Sequence, residues 1–151
     1  MIQALEEGLK AEVGIAAQDH AVAAVNGDGI DTRGYDEALI ILNAGTATAT
    51  GTADVKLQES SDNAVADAYA DIAGAAFAQI TTANDETVFV GRIRVKNFER
   101  YIRVVSTVGT DTVELGVTVL LGKFDGLAPV TQEETVAFAL DYVSDGGTAS
   151  V

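Results

Sequence analysis

The chain has 151 residues, enough for one domain with arms and for a core that needs no covalent staple. It has no Cys and one histidine, His20, which excludes disulfides and thiolate metal sites and makes any catalytic triad or His-based zinc site depend on that single residue. Nine basic residues against 23 acidic ones give a formal charge of −14, which repels nucleic acid and anionic lipid and argues against either as a partner.

Residues 1–19 read as an N-terminal arm. Ala4, Leu5, Leu9 and Val13 have roughly helical spacing, interrupted by Gly8 and Gly14, so a short helix and an extended arm both stay open. Acids at Glu6 and Glu7 stand where a signal peptide needs basic residues, and no apolar stretch approaches the ~18 residues of a membrane span. The expectation is assembly in the host cytoplasm, away from membrane.

From residue 20 the pattern becomes β. Ala21 to Val25 is a short apolar run stopped by Asn26-Gly27-Asp28-Gly29, which is turn chemistry. Ala38-Leu39-Ile40-Ile41-Leu42 is a continuous apolar run, as in strands buried on both faces. Across Thr52 to Glu59, Val55 and Leu57 alternate with Asp54, Lys56 and Gln58, the mark of a half-buried strand. Ser60-Ser61-Asp62-Asn63 closes it as a turn whose side-chain oxygens are placed to cap backbone N–H groups. Residues 64–80 are rich in alanine, the best helix former, and Gly74 divides them; a short helix and an irregular crossover both fit.

Glu86 to Lys96 alternates Phe89, Ile93 and Val95 with Arg92, Arg94 and Lys96, a strand with three cations on one face. Asn97-Phe98-Glu99 turns the chain into a strand over Arg100 to Val108, and Gly109-Thr110-Asp111 turns it again into Thr112 to Leu121, where Val113, Leu115, Val117, Val119 and Leu121 share one face. Three consecutive strands with short turns predict an antiparallel meander. After Pro129, Thr131 and Glu134 have capping-box spacing, but Val136, Phe138, Leu140 and Tyr142 alternate, which favours an extended C-terminal arm over 131–151. The spacing predicts a mostly β chain: an antiparallel β-sandwich or jelly-roll-like domain over 20–130, with about seven to nine strands, between two terminal arms.

Four constellations bear on chemistry. The Asn26–Asp36 loop offers Asn26, Asp28 and Asp31 as oxygen ligands, but no glutamate stands where a calcium loop needs its bidentate one, so a Gly/Asx turn is the simpler reading. Asp67 and Asp71, four apart, would share a helix face as paired carboxylates, a spacing that 23 acids produce by chance. His20 lies beside Asp19, yet no Gly-x-Ser-x-Gly elbow accompanies it, so surface or interface polarity is expected. These leave no catalytic residue, metal or cofactor to assign. The fourth, Arg92, Arg94, Lys96, Arg100 and Arg103, packs five of the nine cations into twelve residues. It reads either as cross-strand pairing with acids or as an acid-seeking patch at a subunit interface.

Three segments carry a resemblance: Tyr35-Asp-Glu-Ala-Leu-Ile-Ile-Leu-Asn-Ala-Gly45, Val55-Lys-Leu-Gln-Glu-Ser-Ser-Asp-Asn63 and Arg100-Tyr-Ile-Arg-Val-Val105, followed by Ala128-Pro129-Val130. Together they resemble the capsid decoration, or cement, proteins of tailed bacteriophages, over roughly residues 20–130. The resemblance implies a virion protein on the capsid exterior that reinforces contacts between subunits of the major capsid protein. It also implies a small homo-oligomer, most often a trimer. The competing expectations are a virion-surface adhesin or carbohydrate-binding sandwich using Tyr35, Tyr69 and Tyr101, and, behind it, a glycan hydrolase built on Asp67 and Asp71.

Overall fold

The structure is a computed structural model that describes residues 8–123 and, for the backbone alone, residues 135–140. The Ala128–Val130 segment, the Thr131/Glu134 spacing, Tyr142 and the last residues lie outside the described residues.

The described residues form ten strands: β1 (Leu9–His20), β2 (Ala23–Asn26), β3 (Ile30–Asp31), β4 (Glu37–Ala47), β5 (Thr52–Ser60), β6 (Ala70–Ala76), β7 (Val88–Ile93), β8 (Tyr101–Gly109), β9 (Val113–Gly122) and β10 (Thr135–Leu140). They build two sheets, β1-β9-β4-β7-β10 and β2-β8-β5-β6, with β3 also pairing β8. With β3 set aside as a short bridge and β10 as an added edge, that strand order is a jelly roll. Every pairing is antiparallel except β10 with β7, which is parallel.

The alternating strands fold as their pattern dictates. Val113, Leu115, Val117, Val119 and Leu121 on β9 are buried, as are Ala53, Val55 and Leu57 on β5. They meet Ile40 and Leu42 of β4 and Ile102, Val104 and Val108 of β8 in one core between the layers. Leu39 and Ile41 on the outer side of β4 are half-buried, so the apolar run there is covered fully on one face only. Phe77 and Phe89 meet edge to face, with ring centroids 6.3 Å apart.

The structure bears on three expectations. The predicted meander does not form: β7 and β9 lie in one sheet and β8 in the other, so each neighbour in sequence crosses to the opposite layer. Short turns are compatible with either outcome; alternation specifies a buried face but not which strand lies alongside. The alanine-rich segment holds no helix and is only partly irregular. Residues 64–69 run as loop and Ala70–Ala76 form β6; Ile72 and Ala75 of β6, with Phe77 and Ile80 just after it, fill the core, and that burial outweighs the helix propensity of the alanines. Residues 9–20 are a strand paired to β9 from Leu9↔Gly122 to His20↔Val113, with bulges between Val13 and Ile15 and between Ile15 and Gln18. Those bulges break the period-two pattern that would have marked the strand. Among the described residues, no helix is long and apolar enough to cross a membrane.

Candidate functional site

The five cations predicted as an interface cluster do not form one patch. The strand carrying Arg92 stops at Ile93, and a 3-10 turn at Val95–Asn97 takes over, drawn in by the burial of Val95. Arg92 is therefore on β7, Arg94 follows the strand end, and Lys96 sits in the turn, so the three do not share one strand face. Arg100 precedes β8 and Arg103 lies within it, in the opposite sheet.

Four of the five meet partners within the chain. Arg94 is 3.8 Å from Glu37 and Lys96 is 3.9 Å from Asp36, across the ends of β7 and β4. Arg100 grips Asp31 with two donors, Nε at 3.0 Å and Nη2 at 2.6 Å. Arg103 donates from Nε to Gln58 Oε1 at 2.9 Å and lays its guanidinium over the Tyr69 ring, 4.2 Å from the centroid. The Arg100 hydrogen bonds, with help from the Arg33 backbone N–H, hold the Asp31 carboxyl at about 2 against a small burial penalty. These pairs are part-exposed, so each contributes tenths of a kcal/mol to about 1 kcal/mol.

The acidic candidates are separated and engaged. Asp67 lies in the loop after β5 and accepts from the Ser61 N–H at 2.8 Å and hydroxyl at 2.9 Å, which lower its pKa. Asp71 is on β6 and accepts from Lys56 Nζ at 2.6 Å and Gln58 Nε2 at 2.7 Å, which lower its pKa too. The shared helix face expected for them does not exist, because there is no helix there. His20 is buried rather than at the surface, with Nε2 donating to the Ala16 carbonyl oxygen at 2.9 Å across the β1 bulge. In the Asn26–Asp36 loop, Asp31 is committed to Arg100. Among the described residues, no three His, Asp or Glu side chains are gathered as metal ligands.

The tyrosines of a sugar platform are also occupied. Tyr69 lies under Arg103 and donates its hydroxyl to Asn63 Oδ1 at 2.6 Å; Tyr101 lies under Arg100, 4.8 Å from ring centroid to guanidinium; Tyr35 packs against the core. A shallow open depression of about 140 Å³, lined by Gln18, Asn43, Glu114 and their neighbours, is well below the usual size of a ligand pocket.

The feature that sequence reasoning caught only in part is the loop from Ser60 to Asp67. Capping by its side-chain oxygens was legible and is present. The Ser60 hydroxyl, fully buried, accepts from the Asp62 and Ala64 N–H groups and donates to the Asp67 carbonyl. Asp62 accepts from the N–H groups of Val65, Ala66 and Asp67. Asn63 (φ 60°) is a residue that accepts the left-handed region, but the extension through Asp67 and the left-handed backbone at Ala64 (φ 63°) had no signal in an alanine-rich stretch.

No protein-family model matches the chain, and no curated protein matches it in sequence. In fold it is similar to the crystal structure of the PBSX exported protein XepA, with a TM-score of 0.54 and 16% identity. That match covers 94% of this chain and 47% of the other, so the chain spans about half of that protein's length. The structure of infectious bursal disease virus, Gx strain, is similar at a TM-score of 0.39 and 6% identity, over 80% of this chain and 33% of that one. At 16% identity the likeness to XepA is one of fold.

Proposed function

We propose that the chain is a non-enzymatic virion protein that binds the outer surface of a phage capsid and stabilises contacts between major capsid protein subunits. One observation carries the reading. The three described segments that resemble decoration proteins occupy the middle of the two facing sheets and share one core. Val55–Asn63 and Arg100–Val105 pair directly along the middle of one sheet, Gln58 opposite Arg103 and Ser60 opposite Tyr101, while Tyr35–Gly45 contributes β4 at the centre of the other. The jelly-roll likeness to an exported protein of phage PBSX supports the same reading without deciding it, since one fold hosts many functions.

Asp31, Asp67, Asp71 and His20 are engaged in bonds that hold the body together, which suits a protein whose task is contact with other proteins. Cementing then works through avidity: a small oligomer, with a trimer favoured, makes several modest contacts at once at high effective concentration. Arg92, which makes no ion pair among the described residues, is the cation of the original five best placed to meet an acidic partner.

The test uses particles made by the genome that encodes the chain, with and without its gene. The protein is expected at a fixed ratio to the major capsid protein, and particles lacking it should release DNA at a lower temperature, restored by adding purified protein. Equal thermal release, with no stoichiometric protein on the particle, defeats the reading. Light-scattering mass of the purified protein tests the trimer.

A further inference from the structure

The loop Ser60–Asp67 holds an apolar side chain out into solvent at a cost in backbone strain. Val65 is 86% exposed, more than Val13 and Val22, the other exposed large hydrophobic residues of the described chain. A single exposed valine is ordinary on a protein surface. Its setting is not. The two residues before it, Asn63 and Ala64, both occupy the left-handed region, where a β-carbon is penalised and alanine has no polar side chain to compensate. Strain of this kind persists only where the surroundings over-determine it, and it gathers at functional sites.

The surroundings here do over-determine it. Asp62 accepts the three N–H groups of residues 65–67, the buried Ser60 hydroxyl holds the N–H groups of residues 62 and 64, and Asp67 clamps Ser61 from the far side. The loop is also backed from outside. Asn63 Oδ1 and the Tyr69 hydroxyl lie so close to Gly29 that a β-carbon there would be 1.9 Å and 2.2 Å from them. None of these bonds uses the Val65 side chain. They fix its position and leave it bare.

The same corner carries acids. The Glu99 N–H donates to Glu59 Oε2 at 2.8 Å, and the Glu99 carboxyl is pushed up by burial and then by Asp67, Glu59 and Asp62 around it. A partner surface that receives this loop must therefore offer a small apolar socket with a basic rim.

We infer that the Ser60–Asp67 loop is a preformed docking knob, with Val65 as the side chain that enters an apolar, Lys/Arg-rimmed socket on the capsid surface. This rests on the capsid-binding reading and gives that binding a contact. Because six hydrogen bonds already hold the loop in shape, little ordering entropy is lost on docking.

The test is co-sedimentation of purified protein with gene-deleted particles, comparing wild type, Val65→Ser and Val65→Ile, with Tm measured for each. The expected result is equal Tm throughout, binding about tenfold weaker for Val65→Ser, and binding retained by Val65→Ile, since burying one valine side chain is worth about that factor. Val65→Ser binding as well as wild type overturns the knob while leaving the capsid reading standing. Wild type that does not sediment with particles overturns both. A Val65→Ser protein that loses oligomer mass by light scattering yet binds particles normally shows that the socket belongs to a second copy, and overturns the assignment to the capsid.

Discussion

Gly27 lies against Gly14 with no room for a side chain between them: a β-carbon on Gly27 would sit 2.0 Å from the Gly14 carbonyl oxygen and 3.0 Å from that of Val104. Gly14 belongs to β1, the edge of one sheet, and Gly27 follows β2, the edge of the other, so the two layers touch backbone to backbone along this side of the sandwich. Gly27 also donates its N–H to Val104 at 2.8 Å. Gly27→Ala must therefore force the edges apart, and a loss of about 3 kcal/mol is expected, as for an overpacked interior. Urea unfolding of the variant checks it; an unchanged midpoint would show that the edge yields freely.

Arg100 and Asp31 set an acid limit. The Asp31 pKa is depressed to about 2 in the folded protein, against about 3.9 for an unfolded aspartate. A depressed carboxylate stabilises above the unfolded value and loses that contribution as pH falls toward the folded one. The stability difference between wild type and Asp31→Asn should be constant above about pH 5 and shrink toward pH 2. Solvent screening of this part-exposed pair keeps the plateau small. Urea midpoints from pH 2 to 7 measure it, and a difference that grows on acidification contradicts the assignment.

Glu99 acts in the opposite direction. Its carboxyl is raised by burial and by Asp67, Glu59 and Asp62, so its favourable contribution is present below the unfolded glutamate value and is lost as pH rises through the folded one. At pH 7 the ionised group opposes folding. Glu99→Gln should raise Tm at pH 7 and leave it nearly unchanged at pH 4, as read by differential scanning calorimetry at both values.

Ser106 carries a hydroxyl into the core. It faces inward on β8 with no exposure, and its Oγ makes no hydrogen bond among the described residues. Removing an unpaired buried polar group relieves its desolvation penalty, so Ser106→Ala should stabilise by about 1 kcal/mol. A destabilised variant would indicate a partner for that hydroxyl.

The readable parts of the fold were those where one physical rule acts alone. On β5 and β9, alternation between water and core places the large apolar side chains, and Val55, Leu57, Val113, Leu115, Val117, Val119 and Leu121 are buried as the period marks. On β6, helix propensity and burial compete, and pairing with β5 at Lys56↔Ala76 and Gln58↔Asp71 wins, with a positive φ of 79° at Gly74 where the register shifts. Which sheet each strand joins was not legible at all, because a period of two names a face and not a neighbour. At the candidate site the residue types were visible, but their partners come from distant segments: Arg100 and Asp31 are 69 residues apart in sequence, Arg103 and Gln58 45.

The pairing of Leu9 with Gly122 has a consequence for the order in which the molecule can mature. Among the described strands β1 is synthesised ahead of all the others, its hydrogen-bonding mate β9 lies near the end of the described body, and no early hairpin within that body can shelter it meanwhile. Such a chain should fold late and slowly, after synthesis of β9, as high contact order requires. Until then β1 offers an unpaired ribbon to any other nascent copy, and yield in a host cell should depend on temperature and expression rate more steeply than the finished sandwich's stability would indicate.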